Sequence, residues 1–156
     1  MAVKPIPEGY HTLSAYLAVD NAAEAIDFYK RAFGAKELVR TEAPGGKIGH
    51  AELGIGDSRI MLADQFPQST TKTPKELKGT TFSLFMYSED VDAAMDKAVE
   101  AGATVTMEAD DMFWGDRFGA VTDPYGHMWS IATHKEDLSP EEIAVRGKAA
   151  MAAMSG

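Results

Sequence analysis

A histidine and a glutamate two positions apart have the clearest chemical potential in this chain. His50 and Glu52 lie in the run Lys47–Ile55, whose composition predicts a β-strand. Residues two apart point to the same face of a strand, so the imidazole and the carboxylate can form a hydrogen-bonded pair. Such a pair could act as a general base or anchor a polar group of a ligand. A buried acid with a purely structural partner would give the same pattern, and both interpretations stay open.

A second segment, residues 112–117, combines two neighbouring aromatic residues, an acid and an arginine. Loops that face water rarely contain such aromatic pairs, so the segment predicts either a hydrophobic flap over the core or the wall of a pocket that includes Trp114. The Arg117 guanidinium suits a carboxylate or phosphate on a ligand. The alternative for this arginine is an ion pair with Asp116 or Asp123.

A hairpin must position the end of this segment. Asp123-Pro124-Tyr125-Gly126 is a turn sequence, because proline presets φ at the first corner and glycine accepts the left-handed conformation. Apolar, β-prone runs flank the turn over residues 118–122 and 128–132. The sequence therefore predicts two antiparallel strands closed by this turn.

The same order of predicted elements occurs twice along the chain. Each half contains a strand, a helix that ends at a glycine, and three further strands. Ser14 and Ser83, in the first strand of each half, are 69 residues apart, and the helix-ending Gly34 and Gly102 are 68 apart. An offset kept to within one residue indicates a duplication. The predicted fold class is therefore α+β, with two tandem βαβββ modules.

Composition divides the chain into five predicted segments. They are an N-terminal arm (residues 1–11), a first module (12–64), a polar linker (65–79), a second module (80–137) and a C-terminal helix (138–156). Within the modules, the predicted strands cover residues 12–19, 36–41, 47–55, 58–63, 80–87 and 104–108, and the hairpin supplies the others. The tail has a capping sequence, with Ser139, Pro140 and Glu142 in order, but only a thin apolar stripe. We expect it to pack on the body or on a partner.

The bulk composition excludes several classes of function. A formal charge of −9 and the lack of any lysine or arginine run argue against nucleic-acid binding. The chain contains no apolar stretch long enough for a membrane span and no signal-peptide pattern, so we expect a cytoplasmic protein without a membrane partner. It has no cysteine, which excludes disulfides, thiolate metal sites and cysteine nucleophiles.

Several stretches resemble the glyoxalase/bleomycin-resistance/extradiol-dioxygenase superfamily, also called the vicinal oxygen chelate superfamily. They are AIDFY (25–29), FGA (33–35), IGHAEL (48–53) and DPYGHMW (123–129). The PhnB-like, or demethylubiquinone-methyltransferase-like, branch is the more similar one, through FWGDR (113–117), GHMWS (126–130) and ATH (132–134). The resemblance covers residues 11–143 and implies that the two sheets form a cup with the helices outside.

Enzymes of this superfamily hold one metal ion with four side chains, two from each module. The resemblance places these positions at Ser14, Glu52, Ser83 and Ser130. Serine hydroxyls are poor ligands for a divalent transition metal, and one carboxylate, even with His50, falls short of the usual three protein ligands. We therefore expect no metal and no other cofactor, with a divalent metal as the alternative.

Without a metal, the resemblance implies a cup lined by hydroxyls, one carboxylate and aromatic rings. Tyr16 and Phe85 share the faces of Ser14 and Ser83, where they either stack on a ligand or fill the sheet. Glu52 and His50 are the candidates for catalysis. The predicted ligand-binding residues are Ser14, Tyr16, His50, Glu52, Ser83, Phe85, Trp114, Arg117 and Ser130.

Three functions compete on this pattern. The predicted function is metal-free binding of a hydrophobic or aromatic small molecule in the cup. The alternative is a lyase, isomerase or dioxygenase-type enzyme of the same superfamily, dependent on a metal or on Glu52 as a base. A third possibility is an interaction protein whose cup is filled by its own side chains. Because members of this family generally dimerise, we expect a homodimer that the tail helix helps to hold.

Overall fold

The computed structural model describes residues 2–156 and contains two four-stranded sheets with four helices. The first module contains β1 (Tyr16–Val19), α1 (Ala22–Phe33), β2 (Lys36–Ala43), β3 (Lys47–Ile55) and β4 (Ser58–Asp64). A short helix, α2 (Pro74–Leu77), precedes the second module. That module contains β5 (Ser83–Tyr87), α3 (Val91–Ala101), β6 (Thr104–Asp111), β7 (Asp116–Thr122) and β8 (Met128–His134), and α4 (Pro140–Met154) follows it.

The two modules share one topology. The strand order is β1-β4-β3-β2 in sheet 1 and β5-β8-β7-β6 in sheet 2. β1 is parallel to β4 and β5 is parallel to β8, whereas the other neighbours are antiparallel. Two βαβββ modules of this kind confirm the predicted α+β fold class.

The first helix forms where its local signals predict. The Asn21 side chain caps its first turn by accepting a hydrogen bond from Glu24 N at 3.3 Å, and Gly34 ends it in the left-handed conformation at φ 64°. The apolar stripe of α1 faces the core. Its buried residues are Ala22, Ala25, Ile26, Phe28, Tyr29 and Ala32.

The first strand starts later than predicted, and the predicted linker contains a short helix. Pairing with β4 begins at Tyr16 and Met61, so β1 starts later than residue 12, and Leu13 is 88% exposed. The predicted linker contains α2, whose Thr73 cap accepts a hydrogen bond from Glu76 N at 3.2 Å. Pro74 is buried against Gly126, where an added Cβ would lie 2.7 Å from the proline Cβ. The polar segment is therefore held against the hairpin turn.

Aromatic residues and a buried acid join the two modules. The Phe33 ring centre lies 4.4 Å from that of Trp129 on β8. Asp123 Oδ2 accepts hydrogen bonds from the Tyr29 hydroxyl at 2.6 Å and from Trp129 Nε1 at 3.0 Å. The aspartate of the hairpin turn thus bonds to the helix of the other module as well as to its own strand.

The helices leave one face of each sheet uncovered. α1 packs on sheet 1, α3 packs on sheet 2, and the two helices contact each other. Where the free edges of β1 and β5 approach, His127 Nε2 lies 2.9 Å from Ala18 O. Nearby, a cleft of about 690 Å³ lies between β5 on one side and, on the other, the β3–β4 turn and the segment before β1. We call the uncovered faces the open faces, and the space over them together with this cleft the cup.

The tail helix is well capped but sparsely packed. Ser139 and Glu142 form the predicted capping box, yet α4 has no buried residue among its described positions. Val145 and Met154 are 70% and 81% exposed. None of the helices within residues 2–156 has the length and apolar character needed to cross a membrane.

Candidate functional site

The open face of sheet 1 carries a hydrogen-bonded chain of four side chains. Glu52 Oε2 accepts a hydrogen bond from the hydroxyl of Tyr10, which belongs to the N-terminal arm. Glu52 Oε1 lies 3.1 Å from His50 Nε2, and His50 Nδ1 lies 2.7 Å from the Tyr16 hydroxyl. Strand pairing places Tyr16, Met61 and Glu52 in one row across the sheet. His50 and Glu52 are in contact, and their role in binding or catalysis remains a prediction.

The surroundings of Glu52 favour its ionised form. The hydrogen bond from Tyr10, followed by that from His50, lowers the pKa of Glu52 below its ordinary value. Burial raises the pKa values of Tyr10 and Tyr16, and the negative charge of Glu52 adds to both shifts. Both phenols therefore keep their protons at neutral pH. The site presents a fixed negative charge among hydroxyl donors.

The open face of sheet 2 is aromatic. The rings of Phe85 and Phe118 are stacked with their centres 5.8 Å apart, and that of Tyr87 lies 5.3 Å from Phe85. Phe85 and Tyr87 are 51% and 63% exposed, so both present ring surface to the cup. Beside them, the Ser130 hydroxyl lies 3.5 Å from that of Ser83. We call Phe85, Tyr87, Phe118 and the adjoining Trp114 the aromatic wall.

A buried acid fixes one end of the aromatic wall. Asp116 Oδ2 accepts hydrogen bonds from Tyr87 at 3.1 Å and from Trp114 Nε1 at 3.2 Å. Its Oδ1 lies 2.8 Å from His134 Nδ1. Asp137 and, to a smaller extent, Asp116 raise the pKa of His134. These contacts set the orientation of the tyrosine and tryptophan rings.

Residues of both modules line the cleft. Its lining includes Ser14 and Arg59 from the first module and Phe85 and Tyr87 from the second. Glu52 lies in the row next to Arg59 on the same open face. A volume of about 690 Å³ lies within the usual range for small-molecule sites.

Arg117, which was predicted to bind a ligand, lies elsewhere. It alternates with Asp116 and Phe118 along β7, so its side chain projects from the helix-covered face of sheet 2. There its Nε donates to Asp92 at 2.7 Å and its Nη1 donates to Asp111 at 3.3 Å. Both acids raise the pKa of the arginine. An ion pair does form, but with acids on α3 and β6 that the sequence did not indicate.

The superfamily's metal positions also need one correction. β1 pairs Tyr16 with Met61 of β4, just as β5 pairs Phe85 with Ser130 of β8. Tyr16 and Phe85 are 69 residues apart, the offset of the duplication, so the counterpart of Ser130 is Met61 and not Glu52, which lies on β3.

The corrected donor set does not fit the metal ion of the superfamily. The four positions carry one thioether and three neutral hydroxyls, from Met61, Ser14, Ser83 and Ser130. A divalent transition metal needs imidazole, carboxylate or thiolate ligands to offset its dehydration. Within residues 2–156, no group of three or more histidine, cysteine, aspartate or glutamate side chains is arranged to hold an ion.

Sequence reasoning missed Tyr10 and Phe118. Tyr10 lies in the predicted arm, and no local pattern shows that its hydroxyl reaches a carboxylate 42 positions away. Phe118 was assigned to a strand but not to the site. It pairs with Ala132, and Phe85 pairs with Ser130 on the same face. The small residues of β8 therefore leave room for the rings on its two neighbours, a pattern that was readable only once the strand order was known.

Comparison with known proteins gives the family. The profile described as Glyoxalase/Bleomycin resistance protein/Dioxygenase superfamily matches residues 10–131. The chain therefore belongs to the glyoxalase/bleomycin-resistance/dioxygenase superfamily, as its motifs predicted. Uncharacterized protein Rv0887c of Mycobacterium tuberculosis is 45% identical over 134 residues, which cover 84% of this chain and 79% of that protein.

Solved structures support the same fold. The Arabidopsis thaliana gene product At5g48480 is 29% identical with a TM-score of 0.66, and the match covers 79% of this chain and 98% of that one. The Bacillus cereus PhnB protein, described as a putative 3-demethylubiquinone-9 3-methyltransferase, is 19% identical with a TM-score of 0.60 over 79% and 99% of the two chains. PhnB-like proteins are thus among the structural neighbours, and at this identity the likeness concerns the fold alone.

Proposed function

We propose that this protein binds a hydrophobic or aromatic small molecule in its cup, without the metal centre of its superfamily. The observation that carries the proposal is an ionised carboxylate, Glu52, on the open face of sheet 1 and an aromatic wall on the open face of sheet 2, beside a cleft that Arg59 and Phe85 line. The carboxylate supplies a polar anchor, and the exposed rings of Phe85 and Tyr87 supply apolar contact.

The chemistry of the donor set supports the metal-free part of the proposal. Neutral hydroxyls and a thioether occupy the positions that would hold the ion. Glu52, on the neighbouring strand β3, already accepts a hydrogen bond on each oxygen, from Tyr10 and from His50. These bonds compete with a metal ion for the carboxylate.

Metal content and ligand stabilisation test the two parts of the proposal. We expect protein purified without chelator to carry far less than one metal ion per chain. We also expect a thermal-shift screen to yield aromatic compounds that raise the Tm with concentration, because a bound ligand stabilises the folded state by RT ln(1 + [L]/Kd). Trp114→Ala and Glu52→Gln should each reduce that shift. Binding that neither substitution changes would contradict the proposed site.

A second candidate is an enzyme that uses Glu52 as a base, and the contacts between Tyr16, His50 and Glu52 favour it. With the Nε2 proton of His50 directed at the carboxylate, its Nδ1 can accept the proton of Tyr16, which makes a short path for proton transfer. Turnover of a bound compound by the wild-type protein but not by Glu52→Gln would favour a lyase or isomerase. Near-stoichiometric nickel, zinc or iron that Glu52→Gln releases would favour the metal-dependent form, with His50 as the next ligand to test.

We also propose that the protein works as a cytoplasmic homodimer. Exposed apolar side chains on the outer strands and on α4, such as Leu38, Met107 and Val145, support the dimer, because a second copy could cover them and leave the cup open. The composition without cysteine suits a reducing compartment.

A further inference from the structure

One residue of the N-terminal arm is seated in the candidate site. Residues 2–13 are exposed apart from Tyr10, which is half-buried. Two further polar contacts lie within residues 2–13: Tyr10 N donates to Pro7 O at 3.1 Å, and Lys4 Nζ lies 3.7 Å from Glu8. The Tyr10 side chain therefore anchors the arm to the open face of sheet 1.

The Tyr10 ring is held in a way that suits a phenol. Its hydroxyl donates to Glu52 Oε2, while His50 lies against the other carboxylate oxygen. The Arg59 guanidinium lies over the ring, 4.7 Å from its centre. A carboxylate is a strong acceptor for a phenolic proton, and a guanidinium is attracted to an electron-rich aromatic face. Glu52 thus contacts the hydroxyl of the phenol and Arg59 its ring, while His50 contacts the other oxygen of the carboxylate.

We propose that the ligand of the cup carries a phenolic ring, which displaces Tyr10 and takes over its contacts with Glu52 and Arg59. This inference rests on the proposed binding function and names the chemical class of the ligand. Tyr10 is then a placeholder that holds the carboxylate and the guanidinium in position while the cup is empty. An aromatic ligand without the hydroxyl would leave Glu52 Oε2 without a donor, which disfavours its binding.

The arm can leave the site without breaking a helix or a strand. Residues 2–15 precede β1 and belong to no regular element. Gly9 has φ +81°, a conformation that residues with a Cβ rarely adopt. Gly9→Ala should therefore strain the arm and loosen Tyr10 from its place without removing the phenol.

Calorimetric titration with p-cresol, the isolated side chain of tyrosine, tests the proposal on the full-length protein. We expect p-cresol to bind Tyr10→Ala about tenfold more tightly than the wild type, because the wild type must first release its own phenol. Gly9→Ala should also bind p-cresol more tightly than the wild type, but by a smaller factor. The matched probe 4-methylanisole, which has no hydroxyl proton, should show no such preference for Tyr10→Ala.

Thermal unfolding gives a second readout. p-Cresol should raise the Tm of Tyr10→Ala by more than 4-methylanisole at the same concentration. Val3→Ala, on the same arm but 91% exposed, is the control and should behave as the wild type does. Equal p-cresol affinity in wild type and Tyr10→Ala, equal affinity for the two probes, or no p-cresol binding by Tyr10→Ala would overturn the proposal.

A different result is expected if the protein does not bind aromatic small molecules at all. In that case, aromatic compounds of the wider screen would stabilise neither the wild type nor Tyr10→Ala. Aromatic compounds that bind in the cup without any preference for a hydroxyl would overturn the phenol assignment alone and leave the binding function standing.

Discussion

The Glu52 carboxylate accepts hydrogen bonds from Tyr10 and from His50, one on each oxygen. Both bonds favour the charged form and lower the pKa of this group in the folded protein. Because the folded-state pKa lies below the unfolded one, the contacts stabilise the native state at pH values above the unfolded pKa. That contribution is lost as the pH falls through the folded-state pKa.

Glu52→Gln should therefore change the pH dependence of stability. We expect it to lower the free energy of unfolding by about 1 kcal/mol at pH 7, because the charged acceptor is lost. The difference from the wild type should shrink below the ordinary glutamate pKa of about 4.3. Urea unfolding at pH 7 and about pH 3 measures it, with the exposed Glu100→Gln as control. A difference of the same size at both pH values would contradict an ionised Glu52.

How much of the site could be predicted depends on the range of each contact. His50 and Glu52 alternate on one strand, so their contact follows from a local pattern. The Tyr10 contact depends on the path of the arm over the sheet, which no local pattern fixes. Arg117 was predicted to bind a ligand because it follows Trp114 in an aromatic segment and its guanidinium suits a carboxylate or phosphate. In the structure β7 begins at Asp116, and alternation from there places the arginine on the helix-covered face.

At the level of elements, α1 and α4 have similar caps but different packing. Asn21 accepts from Glu24 N at 3.3 Å, and Ser139 accepts from Glu142 N at 3.2 Å. α1 buries six residues, whereas α4 buries none of its described positions. Most helical stability in proteins comes from such packing. Loss of the cap should therefore destabilise the whole protein in the case of α1, but only the helix itself in the case of α4.

Matched cap substitutions test this difference. Asn21→Ala should lower the global free energy of unfolding by about 1 kcal/mol. Ser139→Ala should speed amide exchange within α4, while changing the global free energy of unfolding by less than about 0.5 kcal/mol. Urea unfolding combined with hydrogen exchange distinguishes the two. An equal global effect of both substitutions would mean that α4 unfolds together with the body of the protein.

Element boundaries were predictable where their signals are local. Gly34 marks the end of α1 in the sequence, and the structure ends the helix there. α2 was missed because its polar composition is typical of a linker. Its position depends on Pro74 packing against Gly126, which is 52 positions further along the chain. Met61 could not be placed from the sequence either, because its position opposite Tyr16 becomes known only with the order of the strands.

For the whole molecule, exposed apolar side chains favour the proposed dimer. Leu38, Val39 and Met107 are each more than 40% exposed on the outer strands, and α4 adds Val145 and Met154. We expect light scattering at tens of micromolar to give about twice the chain mass of 16.8 kDa. Val145→Asp should weaken the dimer, because a charge on α4 would oppose burial of its apolar face. A monomer at that concentration would contradict the proposed dimer.

Binding of an aromatic compound against Phe85 is the central expectation for the cup. The most direct measurement is a calorimetric titration of the compound with the largest thermal shift into wild type, Phe85→Ala and Leu77→Ala. Phe85→Ala should lose about 1–3 kcal/mol of binding free energy, roughly a fivefold to 150-fold rise in Kd. Leu77, 56% exposed on α2, lies outside the cup, and its substitution should leave Kd unchanged. Equal Kd values for all three proteins would contradict the aromatic wall as the binding surface.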